Sequence, residues 1–359
     1  MKNVYYADYL KLGQLLGIQE PESAKAGKPA HDELLFIITH QTYELWFKQI
    51  LFELDDVLNT FNQEHVREKD ISIAVDRLDR INHIQTLMLQ QVDVLETMKP
   101  LDFMDFRDEL QPASGFQSFQ FRLIEIKMGL KYFGQSSLVG TAYLSRLKPA
   151  HRKLLEEAEA QPSLFDLVEK WLERTPFVDM QGFNFWESYE SAVSTMLDKD
   201  EDLIRNNPNL NADEQKAELN NLTAVREKFK HVFNEDAHAK AQENGEIRLS
   251  YKALQAALLI QLYQDQPILN APHRLINLLM DIDEKFTTWR HRHALMALRT
   301  IGRKIGTGGS SGYDYLRKAA EKNTVFNDFS ALSTFYIPRR ALPKLPNEIE
   351  QKLSFNYAG

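Results

Sequence analysis

PHRLINLLMDIDEKFTTWRHRHALMALRTIGRKIG, residues 272–306, runs into the glycine-rich GTGGSSG, residues 306–312. Its apolar residues Leu275, Leu279, Ile282, Phe286 and Trp289 are separated by 4, 3, 4 and 3 positions, which is the stripe of an amphipathic helix. Extending the stripe brings His293, Met296 and Thr300 onto the same face. A histidine therefore stands where the pattern asks for a core side chain. His291, two residues earlier, lies about 200° away around a helix that turns ~100° per residue, so the two cannot share a face. Pro272 suits a first helical turn. Gly306 suits the end of the helix, with Arg303 and Lys304 set against its negative pole.

A second stretch repeats the pattern. In HDELLFIITHQTYELWFKQILFELDDVLNTF, residues 31–61, Phe36, His40, Tyr43, Phe47, Ile50, Leu54 and Val57 step by 4, 3, 4, 3, 4 and 3. Leu34, Ile37, Ile38, Leu45 and Trp46 make the early part apolar nearly all round, which predicts a central helix. His40 sits inside that surface, one turn after Phe36. Residues 69–98 predict a third long helix, with Ile73, Leu78, Ile81, Ile84 and Leu87 facing inward. A connection with turn chemistry at Pro112 and Gly115 leads to a helix over about 117–132, where Arg122 lies on an otherwise apolar face.

The remainder is also helical in pattern. Residues 1–18 read as an amphipathic arm, with Tyr5, Tyr9, Leu12 and Leu16 on one face. Residues 19–31 read as a mobile linker, 135–245 as helices interrupted near Pro162 and Pro208, and 211–242 as one charged, solvated helix. Ser250 suits the cap of a helix over 251–265, and 338–359 read as a proline-rich tail over the surface. With no strand hairpin, βαβ unit or internal repeat, the expected fold is all-α, a long-helix bundle forming a single domain over 1–359.

Composition narrows the function classes. The 359 residues are 43% hydrophobic and 26% charged with a net charge of −8, which argues against nucleic acid or an anionic membrane as the main partner. There is no cysteine, so disulfides, thiolate nucleophiles, iron–sulfur clusters and covalent haem attachment are excluded. The opening MKNVYYADYL has no apolar core of a secretory signal, and no run approaches the ~18 apolar residues of a membrane span. A cytoplasmic location is expected.

Three side chains stand out chemically, each with two readings. His293 is either a hydrogen-bonded core histidine or a metal or haem ligand, since neutral imidazole is the commonest such ligand. His40 is either a core histidine or a hydrogen-bonding group facing an apolar substrate. Arg122 cannot shed its charge to suit an apolar face. It is either one half of an internal ion pair, with Glu125 a candidate partner, or a fork for a ligand carboxylate. GTGGSSG lacks the P-loop lysine and follows a helix rather than a strand, so nucleotide binding is rejected. It reads as a helix-ending linker or as a closing loop with hydroxyls at Thr307, Ser310 and Ser311.

FIITHQTYELWFKQILFEL (36–54), PASGFQSFQFRLIE (112–125), LSYKALQAAL (249–258), LMDIDEKFTTWRHRH (279–293) and GTGGSSGYDYLR (306–317), in this order, resemble the tryptophan 2,3-dioxygenase family. The resemblance runs from Tyr6 to about Pro338 and is weakest over 135–245. It implies an all-α bundle enclosing a non-covalent haem b, one per subunit and ferrous when active, in a homotetramer built as a dimer of dimers. It implies insertion of both atoms of O₂ across the C2–C3 bond of L-tryptophan to give N-formyl-L-kynurenine, the first step of tryptophan degradation by the kynurenine pathway. By motif, His293 becomes the axial haem ligand. His40 becomes the catalytic residue at the indole N–H, Phe36 a wall of the indole pocket, and Arg122 the clamp on the substrate carboxylate. Thr307 becomes a contact to the amino-acid moiety. Tyr6, Tyr9 and Leu10 lie on an arm expected to reach into a neighbouring subunit's site. The rival class is a non-enzymatic helical oligomer whose histidines are only structural.

Overall fold

The computed structural model describes residues 3–133, 147–175, 185–303 and 312–354. Among them there is no strand, so the all-α expectation holds. The principal helices are α1 (Glu33–Phe61), α2 (Glu68–Leu95), α3 (Pro100–Arg107), α4 (Phe119–Met128), α5 (Pro149–Glu159) and α6 (Leu164–Glu173). They continue with α7 (Phe185–Arg205), α8 (Ala212–Phe233), α9 (Glu235–Glu243), α10 (Tyr251–Leu262), α11 (Asn270–Ile301) and α12 (Gly312–Lys322). The chain divides into two compact units. The first comprises 1–56, 77–163 and 281–325; the second comprises 57–76, 164–280 and 326–359.

In the first unit, α11 is keyed to α2 along one side. Gln85 donates from Nε2 to the Ile282 carbonyl at 3.0 Å, and Lys285 Nζ donates to the Asn82 carbonyl and to Thr86 Oγ1 at 3.1 and 2.7 Å. Seven residues on, Arg292 donates to the Leu89 carbonyl at 3.1 Å and to Asp93 at 2.5 Å. These bonds set the rotation of α11, because residues seven apart lie almost directly above one another on a helix. With Arg292 facing α2, His291 is exposed and His293 is turned elsewhere. Helix α1 is keyed to α2 in the same way. Tyr43 Oη donates to the Met88 carbonyl at 2.9 Å, and Gln91 Nε2 donates to the Thr39 carbonyl at 3.0 Å, on either side of His40. Helix α4 is tied to α1 by Gln120 Nε2, which donates to the Glu44 carbonyl and carboxylate at 3.0 and 2.8 Å.

In the second unit, α10 is buried at every residue from Ala253 to Leu262, with apolar residues around most of its circumference and Gln255 and Gln261 buried among them. Its N-terminus is capped by Ser250 Oγ, which accepts from the Ala253 N–H. Helix α7 packs through Phe185, Tyr189, Val193 and Leu197, one residue per turn.

Several local expectations need correction. Helix α11 ends at Ile301 with Gly302 at φ +63°, four residues before Gly306, because only Gly302 offers the left-handed conformation at that point. The stretch 211–242 is two helices, since Asn234 breaks off α8 and caps α9 by accepting from the Ala237 N–H at 2.8 Å. Leu87 is exposed, and the buried face of α2 is instead carried by Ala74, Val75, Leu78, Ile81, Ile84, Met88 and Val92. Helix α1 is not buried all round, since Leu34, Ile38, Leu45 and Phe52 are exposed. Within 19–31, residues Glu22–Lys25 form a helical turn whose Ser23 is wholly buried and bonded to Glu33. The arm holds two single helical turns, Tyr6–Tyr9 and Leu12–Leu15, separated by Lys11 at φ +54°.

Candidate active site

The 4–3 stripes of α1 and α11 meet in the first unit over a cavity of about 260 Å³, with α4 and the segment 95–116 closing other sides. Phe36, His40, Arg122 and His293 all line it. An adjoining cavity of about 100 Å³ shares His40, Arg122, Trp289 and His293 with the first. The walls are largely apolar, from Leu95, Met98, Phe103, Phe121, Trp289 and Met296. Such a mixture of an apolar enclosure and a few converging polar groups is the usual form of a small-molecule site.

His40 is held by its own helix. Its Nδ1 donates to the Phe36 carbonyl at 2.7 Å, and its ring lies 4.1 Å from that of Phe36. With the proton on Nδ1, Nε2 carries a lone pair and accepts a hydrogen bond. Burial holds the pKa of His40 below the ordinary histidine value, against the opposing pull of the Phe36 carbonyl and Glu44. His40 is therefore a neutral acceptor beside an aromatic wall.

His293 stacks on Trp289 one turn earlier, with centroids 5.4 Å apart. It is half-buried and lines both cavities. Burial pushes its pKa down to about 4, and the nearby His40 and Arg122 push the same way. It is a neutral imidazole facing an apolar space, which is the state a metal ligand requires. Among the described residues no group of three or more His, Asp or Glu is placed to hold a metal ion. A metal here would have to arrive largely coordinated by something else, as the iron of a haem does. The residues fit that group: one neutral histidine, apolar and aromatic walls, and two arginines, Arg107 and Arg122, in the lining.

Arg122 has the ion pair that its sequence setting allows. It donates from Nη1 to Glu125 Oε2 at 2.5 Å and to Tyr132 Oη at 3.1 Å, and both Arg122 and Glu125 are buried. Yet Arg122 also lines both cavities, so the internal pair does not remove the residue from the cavity wall. Glu125 also accepts from Arg290 Nη2 at 2.6 Å. Arg290, Tyr132 and Asn323 were not legible as site residues from the apolar pattern, which treats a charged or polar position as surface. One signal was present: Arg290 lies three residues before His293, so both fall on the same side of α11.

Thr307 lies outside the described residues. Tyr6, Tyr9 and Leu10 are exposed and line neither cavity of their own chain. His291 is exposed and also takes no part in them.

The tryptophan 2,3-dioxygenase family model matches residues 1–336. A tryptophan 2,3-dioxygenase from Bdellovibrio bacteriovorus is 54% identical over 354 residues, covering 99% of each chain. That from Dictyostelium discoideum is 46% identical over 358 residues, 99% of this chain and 90% of the relative. That from Xenopus laevis is 44% identical over 350 residues, 97% and 86%.

Proposed function

The chain belongs to the tryptophan 2,3-dioxygenase family, and on that premise we infer that it cleaves the indole C2–C3 bond of L-tryptophan with O₂. The product is N-formyl-L-kynurenine, and the reaction is the first step of tryptophan degradation by the kynurenine pathway. The observation that carries this reading is the convergence of Phe36, His40, Arg122 and His293, from three separate helices, on one cavity.

The family is one of haem enzymes; the cofactor would be haem b, one per subunit, and His293 is the residue that would hold its iron. Haem iron supplies the activation of O₂. The protein's own contribution is positioning and electrostatics. Neutral His293 offers a lone pair to the iron, and the α2 contacts that orient α11 hold it in place. His40 accepts the indole N–H at Nε2, which its Nδ1 bond to Phe36 leaves unprotonated. Its role is to orient the ring, because indole C2 and C3 are electron-rich and need no strong base. Phe36 packs against the ring. Arg122 receives the substrate carboxylate, and Thr307 contacts the amino-acid moiety. Tyr6, Tyr9 and Leu10 act in a neighbouring subunit of a homotetramer, a dimer of dimers, which agrees with their exposure in the single chain. No helix among the described residues is long and apolar enough to cross a membrane; a cytoplasmic setting is proposed.

Supplying haem-loaded protein with L-tryptophan, a reductant and O₂ is expected to produce N-formylkynurenine, recognised by its absorbance and mass. Haem-loaded protein that consumes no tryptophan, or yields a product carrying one oxygen atom, would refute the reading.

A further inference from the structure

Glu125 occupies the centre of a buried network built from three separate parts of the first unit. It is only 1% exposed. Its Oε2 accepts from Arg122 Nη1 at 2.5 Å and from Tyr132 Oη at 2.7 Å. Its Oε1 accepts from Arg290 Nη2 at 2.6 Å and from Asn323 Nδ2 at 3.4 Å. The outer members are linked as well: Arg122 Nη1 donates to Tyr132 Oη at 3.1 Å, Asn323 Nδ2 donates to the same oxygen at 3.3 Å, and Arg290 Nη1 donates to the Asn323 carbonyl at 2.9 Å. With four donors on two oxygens, the carboxylate has no rotational freedom left.

Among the described residues of this network, two guanidiniums face one carboxylate, and Tyr132 and Asn323 are neutral. Arg290, 5% exposed, also has an Nε with no hydrogen-bond partner among the described residues. Both arginines line the cavity that holds His40 and His293.

We propose that Glu125 is a positioning residue for substrate recognition: by bridging Arg122 and Arg290 it holds the Arg122 guanidinium in the orientation that receives the carboxylate of the amino-acid substrate. This rests on reading the cavity as the tryptophan site. It adds that recognition of the carboxylate is anchored to α11, the helix that carries His293, through Arg290. Arg122 could otherwise swing, because a guanidinium on a long side chain recognises a carboxylate only in a fixed planar orientation.

The test is Glu125→Gln in the haem-loaded protein. Affinities for L-tryptophan and for 3-methylindole, which keeps the ring and lacks the carboxylate, are measured by calorimetry. Loss of the negative charge alone strengthens the positive field and would tighten tryptophan binding. Loss of position weakens it. The expected result is a fall of at least about tenfold in the preference for tryptophan over 3-methylindole, the order of effect of a displaced polar contact in a specific site. KM for tryptophan should rise with a much smaller change in kcat, and 3-methylindole affinity and haem content should be retained. An unchanged or increased preference overturns the proposal. If Glu125→Gln does not fold or take up haem, Tyr132→Phe decides: it alters no charge, and a smaller fall in the same preference is expected, with no change overturning the proposal. Wild-type protein that shows no preference for tryptophan over 3-methylindole would instead refute the reading of the cavity.

Discussion

An imidazole binds iron only while its lone pair is free of a proton. Burial keeps His293 in that state down to a pKa of about 4. His291, on the far side of the same helix, is exposed and lines no cavity. The two histidines thus differ in access to the site although they are neighbours in the chain. His291→Ala is expected to retain haem, measured by the Soret absorbance of protein purified with added haem. His293→Ala is expected to weaken haem binding by more than the roughly 10–100-fold that loss of a group merely supporting a ligand costs. Retention by His293→Ala and loss by His291→Ala would move the iron to the other face of α11.

The ends of α11 show what the chain made legible and what it did not. Five apolar residues in 4–3 steps were enough to place His293 and exclude His291, because helical periodicity acts over the whole element. The end of the helix depends on one residue's backbone. Gly302 and Gly306 are both plausible stops, and the choice falls on Gly302 through its left-handed φ of +63°. No atom of the described residues lies within 4 Å of a Cβ built there. Gly302→Ala is therefore expected to cost about 1 kcal/mol from backbone conformation alone, read by chemical denaturation, with haem uptake intact. No loss of stability would mean that the helix end adjusts freely. The network around Glu125 was illegible for a different reason. Arg122 and Glu125 form an i,i+3 pair on α4, and that pair was foreseeable. Arg290 and Asn323 come from segments about 165 and 198 residues away, and no local rule predicts that a charged position will be buried by partners so distant.

At the scale of the molecule, the question is what covers apolar surface that one chain leaves exposed. Leu34, Ile38, Leu45 and Phe52 are spaced 4, 7 and 7 along α1 and so form one stripe; Phe52 is 72% exposed. An exposed, ordered apolar stripe of this kind marks an association surface. The sequence pattern asked for an α1 apolar on nearly all sides, and in the proposed homotetramer a second copy would cover this stripe. The arm raises the same demand, since Tyr6 and Tyr9 are 70% and 73% exposed and line no part of their own chain's cavity. If the arm completes a neighbour's site, assembly and turnover are one property. The double variant Leu45→Glu/Phe52→Glu places like charges on both sides of a self-complementary contact, where desolvating them is costly. Sedimentation velocity is expected to show a species smaller than the proposed tetramer, and tryptophan turnover to fall with it, while haem content per chain is unchanged because His293 and the cavity it lines lie within one chain. A double variant that stays tetrameric would remove this stripe from the interface, and one that dissociates with full turnover would remove the arm from the neighbour's site.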